Sequence, residues 1–399
     1  MEAYLDNSAT TKINDEVLAL MGRVYREDFG KPSSRHKKGM EAERYIKTAK
    51  EQIAATLKCK PEEIFFTSGG TESNNMALIG TALANKRSGT HIITTSFEHP
   101  SVYEPMFVLE EMGFRVTYLT PGPEGVVTAE ALKEALCEDT ILVSVMAVNN
   151  EVGAVQDIAA LGTMVKEYNP AIVFHVDAIQ AYGKFRIYPK RQNIDLLSVS
   201  AHKLHGPKGC GFLYVKEKTK IKPILFGGGQ QKGMRSGTEN VPGIAGLGLA
   251  AELACKDVEG LQEHLFELKK QFAKGLSEMT DVTIHLVDNK DGSPVEESVR
   301  EERLGKTAPH IMSVGFAGVR SEVLLHALEE KGIYVSSGSA CSSNHPAVSG
   351  TLKAIDVKKE LLDATVRFSF CKDTTKEELE YTLSVLKELL PQLRRFWRK

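Results

Sequence analysis

Residues 64–84 of this chain read IFFTSGGTESNNMALIGTALA. The apolar run 64–67 is typical of a strand, the glycine pair that follows favours a tight turn, and residues 72–84 have the apolar spacing of a helix. In such a turn, backbone N–H groups at the start of the helix point at an anion, and the helix dipole favours it. A tight structural turn with a helix cap fits the pattern equally well. The stretch matches neither a Walker loop nor the G-x-G-x-x-G fingerprint.

The same alternation of strand and helix continues along the chain. Further strands are predicted at residues 91–96, 114–119, 141–148, 172–176 and 196–200, with helices at 101–111 and 159–167. Short apolar runs that alternate with helices predict βαβ units. The predicted fold is therefore α/β, with a mostly parallel central sheet and helices on both faces. Ligands bind such sheets at the carboxyl ends of the strands.

The C-terminal part has a different pattern. One long helix is predicted at residues 243–279, an exposed charged excursion at 286–309, strands at 311–316 and 365–370, and helices at 321–331 and 376–398. This predicts a smaller α+β domain. We expect a large domain over residues 15–258 and a small domain made of residues 1–14 and 259–399.

Composition limits the classes of function. The 399 residues are 42% hydrophobic and 26% charged, with a net charge of −2, which is ordinary for a soluble globular protein and gives no broad electrostatic case for nucleic acid or an anionic membrane. No apolar run is long enough to span a bilayer, and residues 1–11 do not read as a secretory signal. The six cysteines are scattered, without a C-x-x-C pair. We therefore expect reduced thiols and a cytoplasmic protein.

An acid and a lysine follow two of the predicted strands. Asp177 ends an apolar run, and Lys203 follows 26 residues later within Ser-x-His-Lys and before a Gly-Pro turn. A carboxylate at a strand end needs a partner if it is buried, and a protonated pyridine nitrogen is one such partner. A lysine with a lowered pKa can form a Schiff base with an aldehyde. Taken alone, Asp177 fits a helix N-cap and Lys203 a surface residue, but their spacing is one βαβ step and predicts a shared pocket.

The pair His202 and His205 has a spacing that some metal sites use. No third ligand is near in the sequence, and the pair lies in a turn. The sequence therefore predicts no metal site.

Residues 336–344 read SSGSACSSN and contain Cys341. The run is too small and polar to pack a core, so we expect a mobile loop. A cysteine in an exposed loop differs in reactivity from a buried structural one. Cys341 is the candidate nucleophile, and an incidental loop cysteine is the alternative.

Taken together, these motifs resemble those of the cysteine desulfurases, in the class V aminotransferase branch of fold-type I enzymes that use pyridoxal 5'-phosphate (PLP). The resemblance covers nearly the whole chain. It rests on the motifs at residues 4–11, 67–75, 98–100, 149–153, 235–240 and 366–369 together with the Cys341 loop. Many separated motifs in the same order make this specific, whereas any one of them is weak.

The resemblance implies roles for matching residues. Lys203 would hold PLP covalently and shuttle protons, and His99 would stack on the ring and assist acid–base steps. Asp177 would pair with the ring nitrogen, with Gln180 and Asn150 near the ring hydroxyl. The phosphate would be held by Gly70, Thr71, Ser200 and His202, and by Thr238 of a second subunit, which implies a homodimer.

For the substrate, the resemblance implies that Arg367, together with Asn150, binds the carboxylate of L-cysteine. Cys341 would take the sulfur as a persulfide, L-alanine would leave, and a sulfur-acceptor protein would receive the sulfur. A scaffold for iron–sulfur clusters and a tRNA-thiolating enzyme are both candidate acceptors.

Three places depart from the family pattern. Lys31 stands where the family usually has Asn, His310 stands where it has Asn before a strand, and Cys371 with Lys372 replace Gly-Arg after the strand that carries Arg367. Alternatives to a desulfurase are a selenocysteine lyase, another class V PLP enzyme, and a non-catalytic partner protein on the same fold. A thiol in a long loop favours the desulfurase, because a transaminase has no use for it.

Overall fold

The computed structural model describes residues 1–337 and 349–397, with side chains described as far as residue 395 in the last helix. The helices are α1 Asp15–Arg26, α2 Lys37–Leu57, α3 Gly70–Asn85, α4 Pro100–Glu111, α5 Ala129–Ala135, α6 Ile158–Tyr168, α7 Val241–Cys255, α8 Val258–Ser277, α9 Glu297–Gly305, α10 Ser321–Glu329, α11 Gly350–Ala354 and α12 Lys376–Trp397. The strands are β1 Ala3–Tyr4, β2 Ile64–Thr67, β3 His91–Thr95, β4 Arg115–Leu119, β5 Thr140–Met146, β6 Val173–Asp177, β7 Leu196–Ser200, β8 Gly211–Val215, β9 Val282–Ile284, β10 Ile311–Phe316, β11 Ile333–Tyr334, β12 Ser336–Ser337 and β13 Thr365–Ser369.

A seven-stranded sheet in the order β2-β8-β7-β6-β5-β3-β4 forms the centre of the larger part of the molecule. β7, β6, β5, β3 and β4 run parallel to one another, and β8 lies antiparallel to both β2 and β7. The predicted α/β fold with a mostly parallel sheet is confirmed. Asp177 and Lys203 lie at the ends of adjacent strands, because β6 ends at Asp177 and pairs with β7, which ends at Ser200.

Successive residues of each central strand point to opposite faces of the sheet, and both faces are covered. Phe66 and Leu197 belong to the core on the face covered by α2 and α7, whereas their neighbours Phe65 and Leu196 belong to the core beneath α3 and α4. Strands that are buried on both faces read as continuous apolar runs. The sequence shows these runs, and they made the strands predictable.

A four-stranded antiparallel sheet, β12-β13-β10-β9, forms the second part. Its core joins Phe272 of α8, Phe316 and Phe368 of the sheet and Leu386 of α12, and it includes Leu5 near the N-terminus. The division at residues 14 and 258 stays a prediction. The apolar core of the small sheet is distinct from the two cores on the faces of the large sheet and contains residues from both ends of the chain, which supports the division.

Two predictions for the C-terminal part were wrong in detail. Residues 243–279 form two helices, α7 and α8, because Asp257 has non-helical backbone angles and its side chain accepts a hydrogen bond from the Gly260 N–H as the cap of α8. Residues 286–309 are not all an exposed excursion. They contain α9, and Leu304 packs in the smaller core.

Candidate active site

The first corner of the site is the turn between β2 and α3. Gly69 has a φ of 151°, which only glycine adopts readily, and Gly70 begins the helix. A Cβ on Gly70 would lie 2.2 Å from the Ile179 side chain, so a larger residue does not fit. Gly70, Thr71, Ser200 and His202 share the wall of one cavity. The N–H groups at the start of α3 and the polar side chains of Ser200 and His202 form a neutral corner suited to a phosphate.

Asp177 lies at the end of β6 and is buried. One carboxylate oxygen accepts from the Ile179 N–H at 2.9 Å and the other from the Asn74 amide at 2.8 Å. Burial raises the pKa of this carboxyl, and the two hydrogen bonds oppose the shift. A cationic ring nitrogen would offset the burial further, so Asp177 fits the role of partner to a pyridinium.

Gln180 lies one turn beyond Asp177. Its amide Nε2 donates to the Ser8 carbonyl at 3.0 Å, while its Oε1 is buried without a partner among the described residues. A buried amide oxygen without a partner loses free energy unless a ligand donates to it. This orphaned oxygen in the cavity wall is what the hydroxyl of a bound PLP ring would satisfy.

Lys203 ends a short 3-10 turn, Ala201–Lys203, directly after β7. Its amine donates hydrogen bonds to the backbone carbonyls of Ser8 and Ala9, the latter at 2.7 Å. The N-terminal segment after β1 therefore orients this lysine, a contact that no pattern in the sequence predicts. Burial lowers the pKa of the neighbouring His202 to about 4, helped by the positive charge of Lys203, so His202 is neutral at pH 7.

His99 is the N-cap of α4 and lies in the wall of the same cavity. Its Nδ1 accepts from the Ser101 N–H at 3.1 Å, which leaves the ring proton on Nε2. Burial lowers the pKa of His99, while Asp177 acts in the opposite direction. His99 is therefore a neutral imidazole whose remaining N–H can donate.

Arg367 comes from β13 of the smaller sheet and is 5% exposed. Its guanidinium donates to the Asn150 carbonyl and to Asp6 Oδ1, each at 2.8 Å, while its Nε is buried without a partner among the described residues. Asn150 shares the same cavity. The site is thus formed between the end of the large sheet and one strand of the small one.

The cavity has a volume of about 270 Å³. It brings together most of the predicted site residues, which are Gly70, Thr71, His99, Asn150, Asp177, Gln180, Ser200, His202, Lys203 and Arg367. Thr238 is exposed and does not line it, so its predicted role towards a partner subunit stays a prediction. Cys341 lies outside the described residues, and its role also stays a prediction.

Two acids beside the site, the buried Glu98 and the half-buried Glu151, had no role predicted from the sequence. Glu98 accepts from the Thr95 hydroxyl at 2.7 Å and from the Met146 N–H at 2.9 Å, and burial raises its pKa to about 8. Glu151 accepts hydrogen bonds from Ser349 and from Thr351, the latter at 3.2 Å. Each lies next to a predicted site residue, His99 or Asn150, and that position inside the motifs at residues 98–100 and 149–153 was the available signal.

Comparison with known proteins decides the family. The aminotransferase class-V family model matches residues 3–382. A protein from Dictyoglomus turgidum named cysteine desulfurase IscS is 44% identical over 393 residues, covering 98% of this chain and 95% of its own. The chain belongs to the cysteine desulfurase family.

Solved structures of family relatives have the same fold. A structure titled NifS-like protein superposes with a TM-score of 0.89 at 38% identity, covering 98% of this chain and all of that chain. Another, titled SspA in complex with cysteine, has a TM-score of 0.79 at 33% identity, covering 94% of this chain and all of that chain. The predicted resemblance is confirmed, and membership of the cysteine desulfurases favours that activity over the alternatives. Within residues 1–337 and 349–397, no helix has the length and apolarity needed to cross a membrane.

Proposed function

We propose that this chain is a PLP-dependent cysteine desulfurase, which converts L-cysteine to L-alanine and holds the sulfur as a persulfide on Cys341. The observation that carries the proposal is the single cavity in which Lys203, the buried Asp177 and the orphaned Gln180 oxygen meet Arg367 from the other sheet. Lys203, Asp177 and His99 would hold the reactive part of PLP, and the neutral corner at Gly70 would hold its phosphate. When bound, PLP supplies an electron sink that weakens the Cβ–S bond of the substrate.

Arg367 selects the substrate by its carboxylate. The planar guanidinium presents its donors in a fork that matches a carboxylate. Two of its nitrogens are braced by Asn150 and Asp6, so the side chain is fixed in orientation before substrate arrives. The unpartnered, buried Nε is a donor that a substrate carboxylate can satisfy.

Lys203 and His99 handle protons. The amine of Lys203 is oriented by the carbonyls of Ser8 and Ala9, and it lies in the wall of the cavity together with Asp177. His99, neutral with its proton on Nε2, can donate to a substrate or cofactor atom and accept a proton back. The two groups therefore divide acid and base work across the cavity.

Cys341 accepts the sulfur. Its thiolate attacks the substrate sulfur, the new S–S bond forms as the Cβ–S bond breaks, and a proton goes to the carbon that becomes the methyl group of alanine. The described residues on either side of the Cys341 segment support this assignment. Ser336 pairs with Arg367 in the small sheet, and Ser349 donates to Glu151 beside Asn150. Both ends of the segment thus start from the rim of the site.

The partners that we infer are a second subunit and a sulfur-acceptor protein. A second subunit would contribute Thr238, and the strongly exposed Phe226 and Phe29 supply apolar surface for a dimer. A sulfur-acceptor protein would then remove the sulfur from Cys341 in the cytosol. The acceptor is either an iron–sulfur scaffold or a tRNA-thiolating enzyme.

The test is an assay of alanine and sulfide from L-cysteine, with a thiol reductant as acceptor. The wild-type chain should form both products in equal amounts. Cys341→Ser should keep the visible absorbance of PLP and lose sulfide release, with Cys59→Ser as a matched cysteine control that keeps both. A wild-type protein that stays colourless with added PLP, or a Cys341→Ser variant with full sulfide release, would overturn the proposal. Selenocysteine as a competing substrate separates a desulfurase from a selenocysteine lyase.

A further inference from the structure

Three potential metal ligands from distant parts of the chain lie close together near the turn that carries Lys203. They are His205, Cys371 and Asp373, and one ligand atom from each lies within 4.8 Å of the other two. His205 follows Lys203 by two residues, and the other two residues follow β13, the strand of Arg367. None of the three has a part in the proposed reaction.

His205 is held so that one ring nitrogen is available to a ligand. Its backbone has a φ of 60°, the left-handed region that non-glycine residues avoid, and the Thr11 hydroxyl accepts from its N–H at 2.8 Å. Its Nδ1 lies 2.9 Å from the Lys12 carbonyl, which can only accept. The proton is therefore on Nδ1 and the lone pair on Nε2. A backbone carbonyl that fixes the tautomer in this way is the usual support for a metal-binding histidine.

Cys371 is held by the turn that ends β13. Its N–H donates to the Thr374 hydroxyl at 3.0 Å, and that hydroxyl contacts the Cys371 sulfur at 3.8 Å. The turn thus fixes both the backbone and the thiol. This cysteine is one of the places where the chain departs from the family pattern, so the shared reaction does not account for it.

Charge also suits a divalent cation. A neutral histidine, a thiolate and a carboxylate carry −2 together, which a dication balances. Lys372 and the half-buried Lys184 act electrostatically on His205, and burial lowers the pKa of Lys184 to about 8. Because the loaded site is neutral, these lysines do not oppose it. A set of one nitrogen, one sulfur and one oxygen ligand is typical of zinc.

We propose that His205, Cys371 and Asp373 form a zinc site. His205 and Cys371 lie in the wall of a second cavity of about 370 Å³, which Lys203 also lines. Zinc takes four ligands, so the fourth position is left for water or a small ligand from this cavity. Bound zinc would fasten the Lys203 turn to the end of the Arg367 strand.

The test is equilibrium dialysis of the PLP-loaded protein with Zn²⁺, followed by metal analysis. The protein used carries Cys341→Ser, so that the Cys341 thiol cannot bind zinc in place of Cys371. That protein should bind one Zn²⁺ per chain, and Zn²⁺ should raise its thermal midpoint by mass action. Added Cys371→Ser should abolish both effects, and added Asp373→Asn, an exposed and conservative change, should weaken binding by about tenfold or more.

Cys137→Ser is the matched control, because the Cys137 sulfur also lies near a histidine, 3.2 Å from His91 Nδ1. It should bind zinc like its parent. The proposal is overturned if the Cys341→Ser protein binds no zinc, or if both Cys371→Ser and Asp373→Asn bind zinc with the parent's affinity. If Cys371→Ser does not fold, the Asp373→Asn result decides alone.

Discussion

Two cavities share Lys203 as a wall, and they differ in how they are built. The front cavity lies at the ends of neighbouring parallel strands and contains Asp177, Gln180 and the α3 corner. The rear cavity is lined by loops and helix ends that include Lys184, His205 and Cys371. Strand order therefore brings the front residues together, whereas the rear group depends on packing between residues far apart in the sequence.

The largest expected effect is on PLP binding and turnover, which should depend on Lys203 and not on Lys184 of the rear cavity. Lys203→Ala should lose the covalent hold on PLP and reduce alanine formation by about 1000-fold or more, because it removes both the Schiff-base amine and the general base. The measurement is the visible absorbance of the purified protein, together with turnover of L-cysteine.

Lys184→Met is the matched control for that experiment. Lys184 is half-buried and donates to the Lys203 carbonyl at 2.9 Å, and of the two cavities it lines only the rear one. The variant should keep the PLP absorbance. Loss of colour in Lys184→Met with retention in Lys203→Ala would reverse the assignment of the two lysines.

Substitution of Arg367 tests the contribution of the small sheet to the front cavity. Arg367→Lys keeps the charge and loses the fork, so kcat/KM for L-cysteine should fall by roughly 10- to 100-fold, with most of the loss in KM. The PLP absorbance should not change. An unchanged KM would show that the carboxylate binds elsewhere.

A smaller effect is expected from Glu98, the residue before His99, which lines the front cavity. Its folded-state pKa is raised to about 8, so between its ordinary value of 4.5 and about 8 the folded protein binds a proton that the unfolded chain has lost. The contribution of Glu98 to the free energy of unfolding is therefore fully present below pH 4.5 and is lost as the pH rises towards 8. Its Oε2 is buried without a partner among the described residues, which fits a protonated carboxyl.

The measurement is denaturant unfolding at several pH values in the wild type and in Glu98→Gln. The glutamine stands in for the neutral acid, so the variant should lose less stability than the wild type between pH 5 and pH 8. Equal slopes in the two proteins would contradict a raised pKa. Glu98→Ala serves as the disruptive comparison, since it leaves the Met146 N–H unpaired at a cost of about 1–3 kcal/mol.

The same contrast explains what could be predicted from the sequence. Strands buried on both faces read as apolar runs, so β2 to β7 and the positions of Asp177 and Lys203 at their ends were predictable. The break at Asp257 was not, because a capping aspartate inside a helical pattern looks like a surface residue until its partner is known. The contacts of Lys203 with Ser8 and Ala9, and of His205 with Cys371, join residues more than 150 positions apart, and no local pattern encodes them.

The central claim is that sulfur passes from L-cysteine to Cys341 in a site organised around Lys203. The direct measurement is mass spectrometry of the protein after one turnover with L-cysteine and no reductant, with peptide mapping of the added mass. One extra sulfur atom is expected on the peptide that contains Cys341, formed together with one alanine and absent from Lys203→Ala. Alanine formed without added sulfur on that peptide, or sulfur found on Cys371 instead, would contradict it.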